Sequence, residues 1–457
     1  MPIDAVSTLE RMVVVGSFLR KDHPLLAARV RAAVKRGARL GLLNAATEDA
    51  LVPVAAKALV APSGWARTLA ETRVAVLEIR GQALPAELTG VTAGPQARAL
   101  AAVLGADEPA PAAGADHADA ASVEAQSNEG RLPRKAIFLG NAIAHQQQAL
   151  EIALQAQALA DLTGATLGWL VEGANGTGGA LAGALPGEGG LDAHQMVTQA
   201  RKAYLLLGME PSLDHGQPAL AMAALRSAQT VIALSAYRSA DLLEVADCLL
   251  PITPFTETSG SFVNAAGTVQ SFNGVVRPLG EARPAWKVLR VLANQLQLAG
   301  FDQEHPEQVR AMALAADVST GTSRRVQATG AVDAATASTA GQGSMSTSGG
   351  VDAAPVRLER IADVPIHFSD AIVRRAESLQ STRDAAAPTA RMNAAMLARV
   401  GVAAGSPVRL FQAGGEEILL KAMLDDEVAD GAVRVAAAHA STAALAALGG
   451  AISVERA

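Results

Sequence analysis

Cysteine is all but missing from this 457-residue chain, which has one, Cys248. A single thiol cannot close an internal disulfide. It also excludes an all-cysteine metal or iron–sulfur site, which needs several thiolates. Cys248 lies in the apolar run Cys248-Leu249-Leu250, where it is expected as a small buried hydrophobe. Aromatic residues make up only 3% while half the residues are hydrophobic, so the core must come from Ala, Val and Leu in closely approaching elements. Acidic residues outnumber basic ones, 44 to 38. The net charge is −6, with no basic stripe for nucleic acid and no polybasic segment for anionic lipid. None of the eight histidines has a neighbour at the short spacing of a local metal motif. No stretch reaches about 18 strongly apolar residues: the nearest, 433–454, is mostly Ala and contains His439 and Gly449-Gly450. No basic n-region or apolar h-region precedes Arg11. G-x-S-x-G, P-loop, H-E-x-x-H and C-x-x-C patterns are all lacking. The chain therefore reads as soluble and cytoplasmic. No catalytic, cofactor-binding or metal-ligating residue is assigned.

What is present is a succession of strand–helix–strand units. Met12-Val13-Val14-Val15 reads as a buried strand ending at Gly16. Pro24 opens a helix at a position where its missing N–H costs nothing. Leu26, Val30, Ala33 and Val34 give that helix one apolar face, and a strand follows over 39–43. Such a unit implies a parallel sheet with a right-handed crossover. A second unit starts at Ala136-Ile137-Phe138-Leu139-Gly140, with a helix over 146–162 and a strand over 166–171. Gly173-Ala174-Asn175-Gly176-Thr177-Gly178-Gly179 follows it. A Gly-rich loop there can cradle phosphate, but Leu181 breaks the G-x-G-x-x-G pattern and a plain turn is the simpler reading. Further strands are expected at 204–207, 230–234 and 248–250, and a helix over 283–298 with Trp286, Leu289 and Ala293 on one face. Two tracts, 105–131 and 318–355, lack periodicity and the apolar content to order themselves. Past 356 come short strands, a small helix over 392–400 and a helix from Ser441 to Leu448.

The most informative stretch runs from Ala246 to Pro278. It combines A-D-x-L-L-P, E-T-S-G-x-F-V-N and G-x-V-Q, and resembles the signature of the molybdopterin oxidoreductase superfamily. The run from Gln270 to Arg290, and Arg374 to Thr382 (R-R-A-E-S-L-Q-S-T), resemble more narrowly the G subunit of bacterial NADH:quinone oxidoreductase, respiratory complex I. The resemblance implies an α/β fold. Doubly wound, mostly parallel sheets would form Rossmann-like lobes at 1–104 and 132–317. The linkers would be 105–131 and 318–355, and 356–457 a reduced double-psi β-barrel-like domain.

Several positions depart from the superfamily pattern. Ala266 and Thr268 stand where an acid and an Arg are common, Asn44-Ala45-Ala46 where an acidic D-P-R-like triplet lies, and Glu210 where G-x-N-P has Asn. Asn44 is expected as a turn residue, and Glu210 to direct a carboxylate at the place of an anionic pterin phosphate. Asn175 and Gly178 keep the N-x-x-G spacing. Arg374 and Arg375 are expected as surface or interface pairs, and Glu257-Thr258-Ser259-Gly260 as a buried, hydrogen-bonded packing element.

The resemblance then implies a structural, non-catalytic module of the peripheral arm, the C-terminal part of the G subunit. It would pack against NADH-binding and cluster-bearing subunits and be peripheral to the inner membrane through the complex. It would bind no nucleic acid and insert no segment into the membrane. The family's 2Fe-2S and 4Fe-4S clusters would lie in an N-terminal region outside this chain, and molybdopterin would not be bound. The alternative is a fragment of a catalytic molybdopterin-dependent dehydrogenase such as a formate dehydrogenase. A free Rossmann-like nucleotide-binding module is a third reading.

Overall fold

The computed structural model describes residues 1–47, 49–105, 134–314 and 355–457. The expected linkers, 105–131 and 318–355, lie outside the described residues save Gly105 and Pro355. The first sheet holds β1 (Arg11–Val15), β2 (Arg39–Asn44), β3 (Ala56–Leu59), β4 (Lys135–Leu139) and β5 (Thr166–Trp169). All pairs are parallel, in the order β3-β2-β1-β4-β5. Alternation along β1 divides its side chains between two layers. Val13 and Val15 face the helices Trp65–Ile79, Pro95–Val103 and Ala149–Thr163 through Leu69, Leu100 and Ile152. Met12 and Val14 face the helix Pro24–Lys35 through Leu26, Val30 and Ala33. Covering both faces is what an all-parallel sheet requires.

The strands are not shared out as the expected lobes 1–104 and 132–317 would have them. β4 pairs with β1, so the second strand–helix–strand unit extends the first sheet. The cause is register: Val13 and Val15 align with Ile137 and Leu139, which join the same apolar layer. Only β6 (Ala203–Leu207), β7 (Thr230–Ser235) and β8 (Cys248–Pro251) form a separate parallel sheet, in that order.

One face of this second sheet packs Tyr204, Leu206 and Val231 against Met222 and Leu225 of the helix Pro218–Ser227. On the other face Leu205 is 50% and Leu207 49% exposed. Leu205 aligns with Ile232, and Ile232 with Cys248. Cys248 is therefore exposed rather than buried, because it ends this row at the edge of an uncovered face. The helix Ala285–Gln295 forms as expected but buries only Ala293. An antiparallel hairpin of β9 (Gly260–Val263) and β10 (Val269–Phe272) lies between them in sequence.

The C-terminal region closes into a six-stranded barrel of β11 (Val356–Ile361), β12 (Ala390–Met392), β13 (Pro407–Phe411), β14 (Ile418–Leu424), β15 (Ala432–Arg434) and β16 (Ala451–Arg456). The order around it is β11-β15-β12-β14-β13-β16, consistent with the double-psi architecture. The helix expected from Met392 starts at Ala394, because the Asn393 side chain accepts from the Met396 N–H and fixes the N-cap there. The helix expected from Ser441 to Leu448 is instead a 3-10 turn, Ala440–Thr442, capped by His439. The Ala444 carbonyl it would have used accepts from the Glu416 N–H at 2.8 Å.

The barrel is continuous with the first sheet's core, to which Ile361, Val428, Ala429 and Ala432 belong. Ala46 forms an antiparallel bridge with Val428. The Thr47 N–H donates to the Glu427 carbonyl at 2.9 Å and the Ala429 N–H to the Ala45 carbonyl at 2.8 Å. No helix among the described residues is long and apolar enough to cross a membrane.

Candidate functional site

The order of the first sheet reverses between β1 and β4, and ligands in open α/β sheets bind outside the carboxyl ends of strands at such a point. Here the two strand ends nearly touch. A Cβ on Gly140 would lie 2.3 Å from the Gly16 oxygen and 2.4 Å from the Ser17 Cβ. Only glycine fits. Beyond the strand ends opens a cavity of about 620 Å³. Asn141, His145 and Glu172 line it from the first sheet, Ser212 and Asp214 from the segment after β6, and Arg360 and Thr442 from the barrel.

The charges of this wall are mostly paired within the chain. His145 Nε2 lies 3.2 Å from Glu172. Lys21 pairs with Asp384 at 2.6 Å. Burial pushes the His23 imidazole below its ordinary value, with Asn141 and Glu172 pulling the other way.

Glu210 does not face the cavity as expected. Its side chain is 3% exposed and accepts from Arg374 Nη1 at 2.8 Å and Arg375 Nη2 at 2.5 Å. Arg374 also pairs with Asp214 and donates from Nε to the Phe368 carbonyl at 2.8 Å. Arg375 stacks over Tyr237 at 4.4 Å. Arg374 and Arg375 thus pair inside the chain, tying the segment before the barrel's second strand to the turn after β6. Burial draws the Arg374 guanidinium down, but Asp214 and Glu210 outweigh it and hold it above its usual range.

Other expected positions are also placed. The Asn175 Oδ1 accepts from the Val263 N–H at 2.7 Å, which brings the N-x-x-G loop onto the F-V-N segment. Gly178 permits this fold-back, since a Cβ there would lie 2.0 Å from that oxygen. Asn44 is more than a turn residue: 5% exposed, it donates from Nδ2 to the Ser17 carbonyl at 3.0 Å and joins the ends of β1 and β2. The segment from Glu257 to Gly260 is half-buried rather than buried. Its contacts are light, with Glu257 accepting from the Leu279 N–H at 3.2 Å, because it edges a hairpin and not a core.

Arg360 was not singled out from the sequence. Val-Arg-Leu-Glu-Arg-Ile (356–361) reads as half charged. The available signal was the period of two, which places Arg360 on the face of Leu358, and Leu358 is core.

Fold and cleft together define an open, doubly wound α/β protein with a C-terminal barrel and a cavity at the sheet's switch point. The chain belongs to the molybdopterin oxidoreductase family, whose model matches residues 6–295. Acetylene hydratase from Pelobacter acetylenicus has the same fold, with a TM-score of 0.58 at 14% identity over 96% of this chain and 73% of that one. Among curated relatives, oxidoreductase YjgC of Bacillus subtilis (strain 168) is 31% identical over 129 residues, 27% of this chain and 13% of that protein. A protein named as a formate dehydrogenase from Staphylococcus aureus (strain bovine RF122 / ET3-1) is 38% identical over 66 residues, 14% of this chain and 6% of the relative. The chain thus matches only a small part of the length of these curated relatives.

Proposed function

We propose that this chain is the C-terminal part of the G subunit of a proton-translocating NADH:quinone oxidoreductase, acting as a structural module of the peripheral arm. The observation that carries this reading lies in the run from Gln270 to Arg290. The loop within it turns three apolar side chains outward: Val275 is 83%, Val276 59% and Leu279 82% exposed. Exposed apolar residues grouped in one loop suit a protein contact. The uncovered face of the second sheet supports the same reading, since parallel sheets are otherwise buried on both sides. Electron transfer from NADH to quinone would be done by iron–sulfur clusters outside this chain, and the module would reach the inner-membrane surface only through the complex.

A molybdopterin cofactor, which the family implies, would meet a cavity wall in which one arginine and the lysine are already engaged. Arg374 is committed to Glu210 and Asp214, and Lys21 to Asp384. Co-expression with NADH-binding and cluster-bearing subunits tests the proposal: the chain should co-elute with them in fixed stoichiometry. A monomeric chain carrying stoichiometric molybdenum or tungsten would replace it with the second reading, a fragment of a molybdopterin-dependent dehydrogenase such as a formate dehydrogenase. That reading is favoured by the names of the curated relatives.

A further inference from the structure

Asn-Gly occurs twice in this chain, at Asn175-Gly176 and Asn273-Gly274. A glycine leaves its peptide nitrogen unshielded by a Cβ, so that nitrogen can reach the side-chain amide carbon of the asparagine before it. The surroundings of the two pairs differ. The Asn175 Oδ1 accepts from the Val263 N–H at 2.7 Å, and the side chain lies against Gly178, where a Cβ would be 2.8 Å from its Cγ. The Asn175 carbonyl accepts from the Gly179 N–H at 2.8 Å, and the Gly176 N–H donates to the Gly173 carbonyl at 3.4 Å. Turning the Gly176 nitrogen toward the Asn175 side chain would therefore undo the start of the helix Gly176–Leu181.

Asn273 has none of these restraints. It is exposed, just past the end of β10. Its side-chain contact among the described residues is Ser259 Oγ, 3.4 Å from Oδ1, at the long limit of a hydrogen bond. The Gly274 N–H has no acceptor among the described residues. The neighbours on either side are held: Phe272 pairs with Gly260, and the Val275 N–H donates to the Thr256 carbonyl at 2.8 Å. The reacting pair lies between these two anchors.

We propose that Asn273 is a site of self-modification, permitted by the fold there and blocked by it at Asn175, in which the Gly274 nitrogen closes on the Asn273 side chain and converts it to an acid. The Gly274 nitrogen gives its proton to hydroxide and bonds to Cγ. The bond from Cγ to Nδ2 breaks, and that nitrogen takes a proton from water and leaves as ammonia. Water then opens the cyclic imide at either carbonyl, giving aspartate or isoaspartate. The product puts a carboxylate, and in the isoaspartyl form an extra backbone carbon, beside the outward side chains of Val275 and Val276. Weaker docking through that loop is the part that rests on the assembly proposed above.

The test is incubation of the full chain in mildly alkaline buffer, folded and in urea, followed by proteolysis and peptide mass spectrometry. In the folded chain Asn273 should lose its amide at least about tenfold faster than Asn175, a ratio that needs only about 1.4 kcal/mol of extra barrier at the held site. In urea the two rates should converge. No conversion at Asn273, or loss at Asn175 as fast in the folded chain, would overturn the proposal. A gap that persisted undiminished in urea would trace it to neighbouring sequence rather than the fold, and would be equally fatal. Converted chain should co-elute with the cluster-bearing subunits less than fresh chain does. Asn273→Gln, whose longer side chain does not close the same ring, should show no decline on incubation. Fresh chain that fails to co-elute would count against the assembly and leave the Asn273 chemistry standing. Converted chain that co-elutes as fully as Asn273→Gln would overturn the effect on docking.

Discussion

Val13 and Leu205 are both inner residues of parallel strands, yet Val13 is 1% exposed and Leu205 50%. The five-stranded sheet has helices on both faces and the barrel against one of its layers. The three-stranded sheet has a helix layer on one face and an apolar row, Leu205, Ile232 and Cys248, on the other. The strands read alike in sequence. The difference teaches that apolar content states a need for cover without saying which chain supplies it.

Truncation should separate the two sheets most sharply. Leu139→Ala, at a site of 0% exposure, is expected to cost about 2–5 kcal/mol in denaturant unfolding. Leu207→Ala, on the open face, should stay within about 0.5 kcal/mol in the isolated chain, as surface changes do. Equal losses at the two sites would show that the second sheet is covered after all. Arg374→Ala comes next. It removes a charge-assisted contact while Arg375 still holds Glu210, so about 1.5–3 kcal/mol is expected. Arg374→Lys should recover part of that.

Acid should reach the two regions in different windows. His23 has a folded-state value lowered by burial. The unfolded chain therefore binds its proton first, and stability falls as pH drops below about 6.5, the ordinary imidazole value. His23→Gln should remove that slope. For Asp241, burial pushes upward but bonds from Ser239, Ser212 and Leu242 win and hold it low. Its contribution is present above about pH 3.9 and is lost only as pH falls further, through its folded value. An Asp241→Asn variant that changes the slope near pH 6 would contradict the assignment. The smallest effect concerns Cys248. Labelling with a thiol reagent should proceed in the native state without a change in melting temperature, and protection until unfolding would mean that the row is covered.

Much of the fold was legible, for identifiable reasons. Met12–Val15, Ala136–Leu139 and the amphipathic helices carry their periods openly. Pro24 marks a boundary that depends on local sterics alone. What stayed hidden depends on contacts distant in sequence. That β4 joins β1 is a matter of register between residues 124 positions apart, Arg11 with Lys135, and β11 and β12 are short strands whose charges mask their alternation. The 3-10 turn at Ala440–Thr442 is decided by a hairpin that takes its carbonyl. Behind the cavity wall, Glu210 was recognisable as a departure from the pattern. Its neutralisation by Arg374 and Arg375, more than 160 residues later, was not.

The bridge between Ala46 and Val428 sets a timetable for the molecule. The loop leaving β2 finds its backbone partners only in the barrel, more than 380 residues downstream. A chain emerging from the ribosome at about 5–20 residues per second must hold that loop unsatisfied for tens of seconds. Closing so long a loop is also an entropic cost that precedes any reward from the contact. The first sheet is thus made early in synthesis and completed last, with Ala45, Ala46 and the adjoining edge open to premature association until the C-terminal strands arrive.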